Sequence, residues 1–386
     1  MFGNLVGTTL QPLGYLLLYL LTPFHNLPTW VLALPSIPAS IVGLDTVFNN
    51  TVFSYAGDVS HGKSARSTSI RFIIIDTISA LFTPVGLYGG NFILQRGGFV
   101  WLFGFTTAVV ALGALYTILV VHNIIPHKEA EKEEEADEGN ESKLKRLLHS
   151  LASCITRKRQ GYGRLAIILL IVILGTHAIS YTTDSNICFL FLQTKFGFDQ
   201  NAFSDIQSIH FALTGAGAIL MILLIQLTNI NVLLVGLLSC LSKLGYYLEY
   251  VTNFVFRSLN LSPLDMPLLR QHLLSTLAMC WAVLEVGLNN GMLTHFKTTF
   301  LSGTVPSVCK IIIARIATPA ELGKLNTFVA LLESLIPLAF VPLFDQLWKL
   351  SLLSYPGLNF LITAGILAVI FLLLLIICAL PLKDKN

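Results

Sequence analysis

Charge is scarce in this chain. Only 12% of its 386 residues are Asp, Glu, Lys or Arg, where a soluble domain carries roughly 25%. With 54% hydrophobic residues, the apolar surface exceeds what a soluble core can hide, so lipid must cover much of it. The net charge of +3 gives no ground for nucleic-acid binding, and none is expected. The six cysteines are Cys154, Cys188, Cys240, Cys280, Cys309 and Cys378. They include no CxxC pair, so neither a metal centre nor a disulfide framework is indicated. GxSxG, HExxH and P-loop motifs are also lacking. The chain is therefore not read as an enzyme, and no cofactor is expected. A cleavable signal peptide is not indicated either. No basic region precedes the first apolar stretch, and that stretch runs past the usual length.

What the chain has instead is a series of apolar stretches, each near the roughly 20 residues that a helix needs to cross a bilayer. About ten spans are expected, over 2–21, 31–54, 70–94, 99–121, 165–185, 206–227, 232–254, 274–308, 327–347 and 358–380. The eighth exceeds one crossing, and Asn289-Asn290-Gly291 interrupts it, so the topology of 272–308 stays open. Between the fourth and fifth spans, 127–159 carries eight acidic and eight basic side chains, acidic first and basic afterwards. There Leu144, Leu147, Leu148 and Leu151 share one helical face beside Lys143, Lys145 and Arg146. That reads as an amphipathic helix on the inner leaflet or as a solvated tether.

The expected fold is all-α: a polytopic membrane protein with an N-terminal helical bundle at 1–121, a charged cytosolic linker at 122–164 and a C-terminal bundle at 165–386. Basic residues orient it. With Met1 in the cytosol, the inside segments 58–71, 122–164, 310–324 and 383–385 hold most of the Lys and Arg. The outer loops keep Arg96, Lys195, Arg257, Arg270 and Lys349. The sequon Asn260-Leu261-Ser262 then falls outside, and Asn140-Glu141-Ser142 inside.

An ionisable side chain costs roughly 2.5–3.5 kcal/mol at a helix centre, so one that persists faces a partner or a wet cavity. Asp45, with Asn49 and Asn50 at i+4 and i+5, marks a face turned from lipid. It suits substrate or proton contact, or plain interhelical hydrogen bonding. Glu333 precedes Pro337 and Pro342, which permit a bend, so it suits a cavity wall or a solvated position near the cytosol. His177 is followed by Tyr181 and Asp184 at one-turn intervals and suits a pH-sensing or a merely interfacial role. Asp76 opens the third span five residues after Arg71, where an acid also complements the helix dipole. Glu249 and Glu285 are further intramembrane acids with no assigned partner. Gly86, Gly89 and Gly90 form a small-residue face suited to close helix packing.

Ser54-Tyr55-Ala56-Gly57-Asp58-Val59-Ser60 is followed by Arg66, Arg71 and Asp76, then Gly86-Leu87-Tyr88-Gly89-Gly90 and Gln95-Arg96-Gly97-Gly98-Phe99. Thr304-Val305-Pro306 leads to Lys310, Arg315, Pro319, Glu321, Gly323 and Lys324, and Gly236-Leu237-Leu238-Ser239 precedes Tyr246-Tyr247. In this order the chain resembles solute carrier family 46, the proton-coupled folate transporter group of the major facilitator superfamily. The resemblance covers most of the chain apart from the central linker. It departs in three places. The first span resembles the family's third, so the first two helices are expected to be lacking. Ala56-Gly57-Asp58 is one residue longer than the family's Ala-Asp, and extra sequence lies around 285–300.

The resemblance implies a two-bundle major facilitator-type fold and alternating access. It also implies proton-coupled uptake of a folate-like or other organic anion. A truncated, non-transporting paralogue acting as a membrane partner or scaffold is the alternative. Proton-coupling candidates are Asp76, Glu333, His177 and Asp45. Substrate-binding candidates are Lys310, Asn49, Asn50 and Tyr181. For Lys310, near the family's substrate arginine, a positive-inside anchor is the alternative. Asp58, Arg66 and Arg71 are candidates for a cytosolic latch, or serve topology alone. The expected partners are an organic anion, protons and the lipid bilayer, at the plasma membrane or alternatively a lysosomal one. The sequence indicates no oligomeric state.

Overall fold

A computed structural model of the chain describes residues 2–21, 28–41, 44–60, 65–120, 153–157, 159, 161–228, 231–258, 303–355 and 357–381. Apolar runs become helices, and proline and glycine set where they break. Helix α1 (Phe2–Leu21) coincides with the first expected span. The second span is not one helix. A 3-10 stretch at Thr29–Ser36 leads to a short α2 (Ile37–Ile41) and then α3 (Leu44–Val59). Pro35 and Pro38 explain the interruption, because proline lacks an N–H and its ring clashes with the preceding turn.

The third and fourth spans form one helical run, α4 (Ala65–Val120), broken at Gly98 with φ 69° and ψ −170°. Glycine reaches positive φ at little cost, so the Gly97-Gly98 pair ends one span and begins the next. The fifth span is longer than expected. Helix α5 (Gly163–Thr182) passes through a π-helical turn at Thr183–Ile187 into α6 (Cys188–Phe196). Then come α7 (Gln200–Thr228), α8 (Val232–Ser258), α9 (Val305–Ile316), α10 (Pro319–Ser351) and α11 (Leu358–Ala379). No strand occurs among the described residues.

Ile70–Val120, Gly163–Thr182, Glu321–Ser351 and Leu358–Ala379 are long and apolar enough to cross a membrane. Large apolar side chains such as Phe82, Trp101, Leu112 and Leu338 point outward from the bundle, as a lipid-facing surface requires. The chain is an all-α, multi-pass membrane protein.

Lys310, expected at the start of the inside segment 310–324, sits within α9 and is 5% exposed. The span had been ended at the lysine. The apolar run resumes at Ile311-Ile312-Ile313, and the helix carries the ammonium into the core. The central linker up to 152, its amphipathic helix, both sequons and 259–302 lie outside the described residues.

Helices from before and after 121–152 meet along α3–α10 and α4–α7 and, less extensively, along α4–α9. The core runs from Phe53 and Phe72 through α5, α8, α9 and α10 to Phe360, Leu367 and Leu374 on α11.

Candidate functional site

The contact of α3 with α10 is polar. Asn50, Phe53, Ser54 and Gly57 are spaced i, i+3, i+4 and i+7 and so share one helix face. Asn50 Nδ2 donates to Glu333 Oε2 at 2.9 Å. Asn326 Nδ2 donates to Ser54 Oγ at 2.9 Å. Gly57 lies so close to Leu322 that an added Cβ would overlap its side chain. Across the same face, Lys310 Nζ stands 4.4 Å from the centroid of the Phe53 ring. Phe53 in turn packs on Phe72, with centroids 5.2 Å apart.

Both ionisable groups of this seam belong to α9 and α10, and both meet neutral partners on α3. A hydrogen bond to a carboxylate is roughly twice as strong as a neutral one. An ammonium over an aromatic face gains ~0.5–2 kcal/mol, more when desolvated. Glu333 is about four turns into α10, half-buried and away from the helix end.

Behind Lys310, α9 packs on α8 and α5. The Thr304 backbone N–H donates to Ser239 Oγ at 3.2 Å. Gly236 lets Val308 approach, since a Cβ there would lie 2.8 Å from the valine. One turn beyond Ser239, Lys243 is buried at 8% exposure. Tyr247, a further turn along, donates to the Ser180 carbonyl at 3.4 Å, bringing that part of α8 against α5 near His177.

At one end of the bundle, Arg157 and Arg159 donate to Glu321 at 2.8 and 3.4 Å. Glu321 also accepts from the Thr318 backbone N–H at 3.2 Å, which ties down the start of α10. Arg71 donates to the Val59 carbonyl and to Ser60 Oγ, each at 3.4 Å. Burial raises the nearby Cys154 thiol, with Lys324 and Arg159 opposing, so this cysteine stays protonated and unreactive at neutral pH.

The structure thus brings Glu333, Asn50 and Lys310 to one seam, with His177 behind them. Asn49 and Tyr181 are exposed and lie apart from it, and Arg71 sits at the bundle end. Asp45, Asp58, Arg66 and Asp76 fall on α3 and α4, but their side chains lie outside the described residues. Sequence reading missed Phe53, Asn326 and Lys243. For Lys243 the signal was available: an ammonium inside an otherwise apolar span. Among the described residues, no three His, Cys, Asp or Glu side chains gather as a metal site.

Neither a protein-family model nor a curated protein matches the chain. Among solved structures it is similar to the crystal structure of the E. coli fucose:proton symporter FucP. The TM-score is 0.56 at 14% identity, over 97% of this chain and 83% of that one. The fold is of the major facilitator type. In such a fold, pairs of helices from the two halves close around a central space. Of the α3–α10 and α4–α7 contacts, the first carries the Asn50–Glu333 bond.

Proposed function

We propose that this chain is a secondary active carrier that moves a small organic anion with protons by alternating access. The observation that carries the reading is the α3–α10 seam, where Glu333 and Lys310 are held by an amide and an aromatic ring instead of by each other. Protonating Glu333 turns its bond from Asn50 into a weaker neutral one. An incoming anion offers Lys310 a Coulomb partner in a low-dielectric interior, stronger there than the Phe53 ring. Proton and anion then act on the same seam in the same direction, each loosening α3 from α10.

Several features favour the finer assignment. The neighbour named above is a proton symporter by its title, which supports proton coupling in a fold of this type. The motif order from Ser54 to Phe99 and from Thr304 to Lys324 supports membership of solute carrier family 46, and with it a folate-like anion. Asp76 and His177 remain further coupling candidates, and Asp45 a polar one. On the positive-inside bias the Arg71–Glu321 end faces the cytosol, with Asp58, Arg66 and Arg71 forming a latch there. In this reading 1–121 and 165–386 are the two moving bodies, joined by the charged linker. The plasma membrane is the assigned location.

The test is uptake of labelled folate and of smaller organic anions in transporter-null cells, at acidic and neutral outside pH, with surface expression quantified. Saturable, acid-stimulated uptake that Glu333→Gln renders pH-independent is the expected result. A surface-expressed chain that moves no anion at either pH would reject the carrier reading. Uptake of other anions but not folate would reject only the folate-like assignment.

A further inference from the structure

Two adjacent residues, Glu321 and Leu322, hold the first turn of α10 from two sides, and both are nearly closed to solvent. On one side, Glu321 Oε1 accepts from Arg157 at 2.8 Å. Its Oε2 accepts from Arg159 at 3.4 Å and from the Thr318 N–H at 3.2 Å. On the other side, Leu322 lies so close to Gly57 of α3 that a Cβ there would overlap it.

The two arginines come from residues 153–159, which are themselves anchored. Cys154 is buried in the core, and Ile155 packs against it. Arg159 also donates to the Cys154 carbonyl at 2.8 Å, and its side chain is 10% exposed, against 65% for Arg157. A solvent-facing ion pair contributes little, whereas a buried one that loses a partner leaves an uncompensated charge. Arg159 is thus the main holder of Glu321, and Arg157 the lesser.

Beyond Leu322 the contacts run on into the seam. Asn326, one turn along α10, donates to Ser54. A Cβ on Gly57 would also reach the Phe72 ring at 3.8 Å. Phe72 packs on Phe53, whose face holds the Lys310 ammonium.

We infer that residues 153–159 belong to the gate: Arg159, aided by Arg157, holds the first turn of α10 where Leu322 seats on Gly57. Both arginines act through Glu321 and are positioning residues. The segment before α5 then sets how firmly α3 closes on α10, at the end that the positive-inside bias assigns to the cytosol. The inference rests on the carrier reading only for the claim that this closure gates transport.

The test uses the purified full-length chain in detergent and a polar maleimide. Asn326, 1% exposed in the seam, is replaced as Asn326→Cys, and labelling of that peptide is followed by mass spectrometry. The rate reports the fraction of molecules open at the seam. Arg159→Gln is expected to raise it about tenfold, the loss of one charge-assisted contact, and Arg157→Gln about twofold. Arg159→Lys keeps the charge and should restore most of the protection. Glu321→Gln retains an acceptor for the Thr318 N–H, so it removes the ion pairs without the helix cap. It should match Arg159→Gln and serves where that variant does not fold. The rate at Ser208→Cys, buried on α7, should not change. An equal rise at both positions means general loosening and overturns the inference, as does an unchanged rate at Asn326→Cys. In cells, Arg159→Gln should raise the KM for outside anion and leave the ratio of acid to neutral uptake as it was. An unchanged KM would overturn the gating claim. Faster labelling in a chain that moves no anion supports the clamp and rejects the carrier reading. Anion uptake by a chain whose labelling none of these variants alters does the reverse.

Discussion

The two most extensive contacts between the helices before 121 and those after 152 are made differently. Along α3–α10 the chain places an amide on a carboxylate, an ammonium on a ring and an amide on a hydroxyl. Along α4–α7 it relies on close approach. A Cβ on Gly215 would lie 2.8 Å from the Leu81 side chain and 3.3 Å from its backbone nitrogen. The hydroxyls of Ser208 and Thr214 on α7 are satisfied by its own backbone at 2.7 and 3.0 Å. In lipid there is no hydrophobic drive between helices, so a small residue that lets backbones meet is what holds such a pair. Contact of that kind has no charge state. The described residues of the α3–α10 seam pair a carboxylate and an ammonium with neutral groups, so this seam has two charge states that a proton or an anion would change. One contact is thus suited to act as a constant pivot and the other as a switch.

The largest effect should come from removing the switch's cation. Lys310→Gln is expected to lower anion uptake kcat/KM about 100-fold, the loss of a buried charge-assisted contact. Lys310→Arg keeps the charge and should lose much less. Comparable uptake by the Gln variant at equal surface expression would move the anion contact elsewhere.

Next is damage to the pivot. Gly215→Val overpacks against Leu81 and should cost about 1–3 kcal/mol, read as a lower melting temperature of the purified protein. The molecules that stay folded should keep the ratio of acid to neutral uptake. A changed ratio would mean that α4–α7 is also part of the switch.

Glu333→Gln sharpens the contrast from the other side. The glutamine oxygen can still accept from Asn50, so stability should shift by less than about 1 kcal/mol. What should disappear is the dependence of uptake on outside pH. If that dependence persists, the proton resides on Asp76, His177 or Asp45 instead.

Hydropathy made most of the helices legible, because about 20 apolar residues in lipid have little choice but to form one. Gly97-Gly98 was correctly read as a break between spans, while Pro35 and Pro38 were read through. The site was legible only in pieces. Asn50 and Glu333 each stood out as polar groups within spans, yet nothing in one sequence pairs residues 283 positions apart. Lys310 was read as an end-of-span residue, because a lone lysine at an apolar boundary usually snorkels to the interface. The partner that offsets it, Phe53, is an ordinary core residue by composition. Charges are visible in a sequence, whereas the neutral groups that hold them are not.

The smallest expected effect isolates geometry from charge within the switch itself. Ser54 and Asn326 form a neutral bond one turn along α3 from the Asn50–Glu333 contact. A double-mutant cycle with Ser54→Ala and Asn326→Ala should return a coupling near ~0.6 kcal/mol, the average for interhelical hydrogen bonds in membranes. Neither variant should alter the pH profile of uptake. A coupling several times larger would mean that hydrogen bonding, not charge, holds α3 against α10. Protonation of Glu333 would then release too small a share of the seam to open it. A coupling near the average leaves the Asn50–Glu333 and Phe53–Lys310 contacts as the ones that must break. In the proposed carrier those are the contacts on which a proton and an anion act.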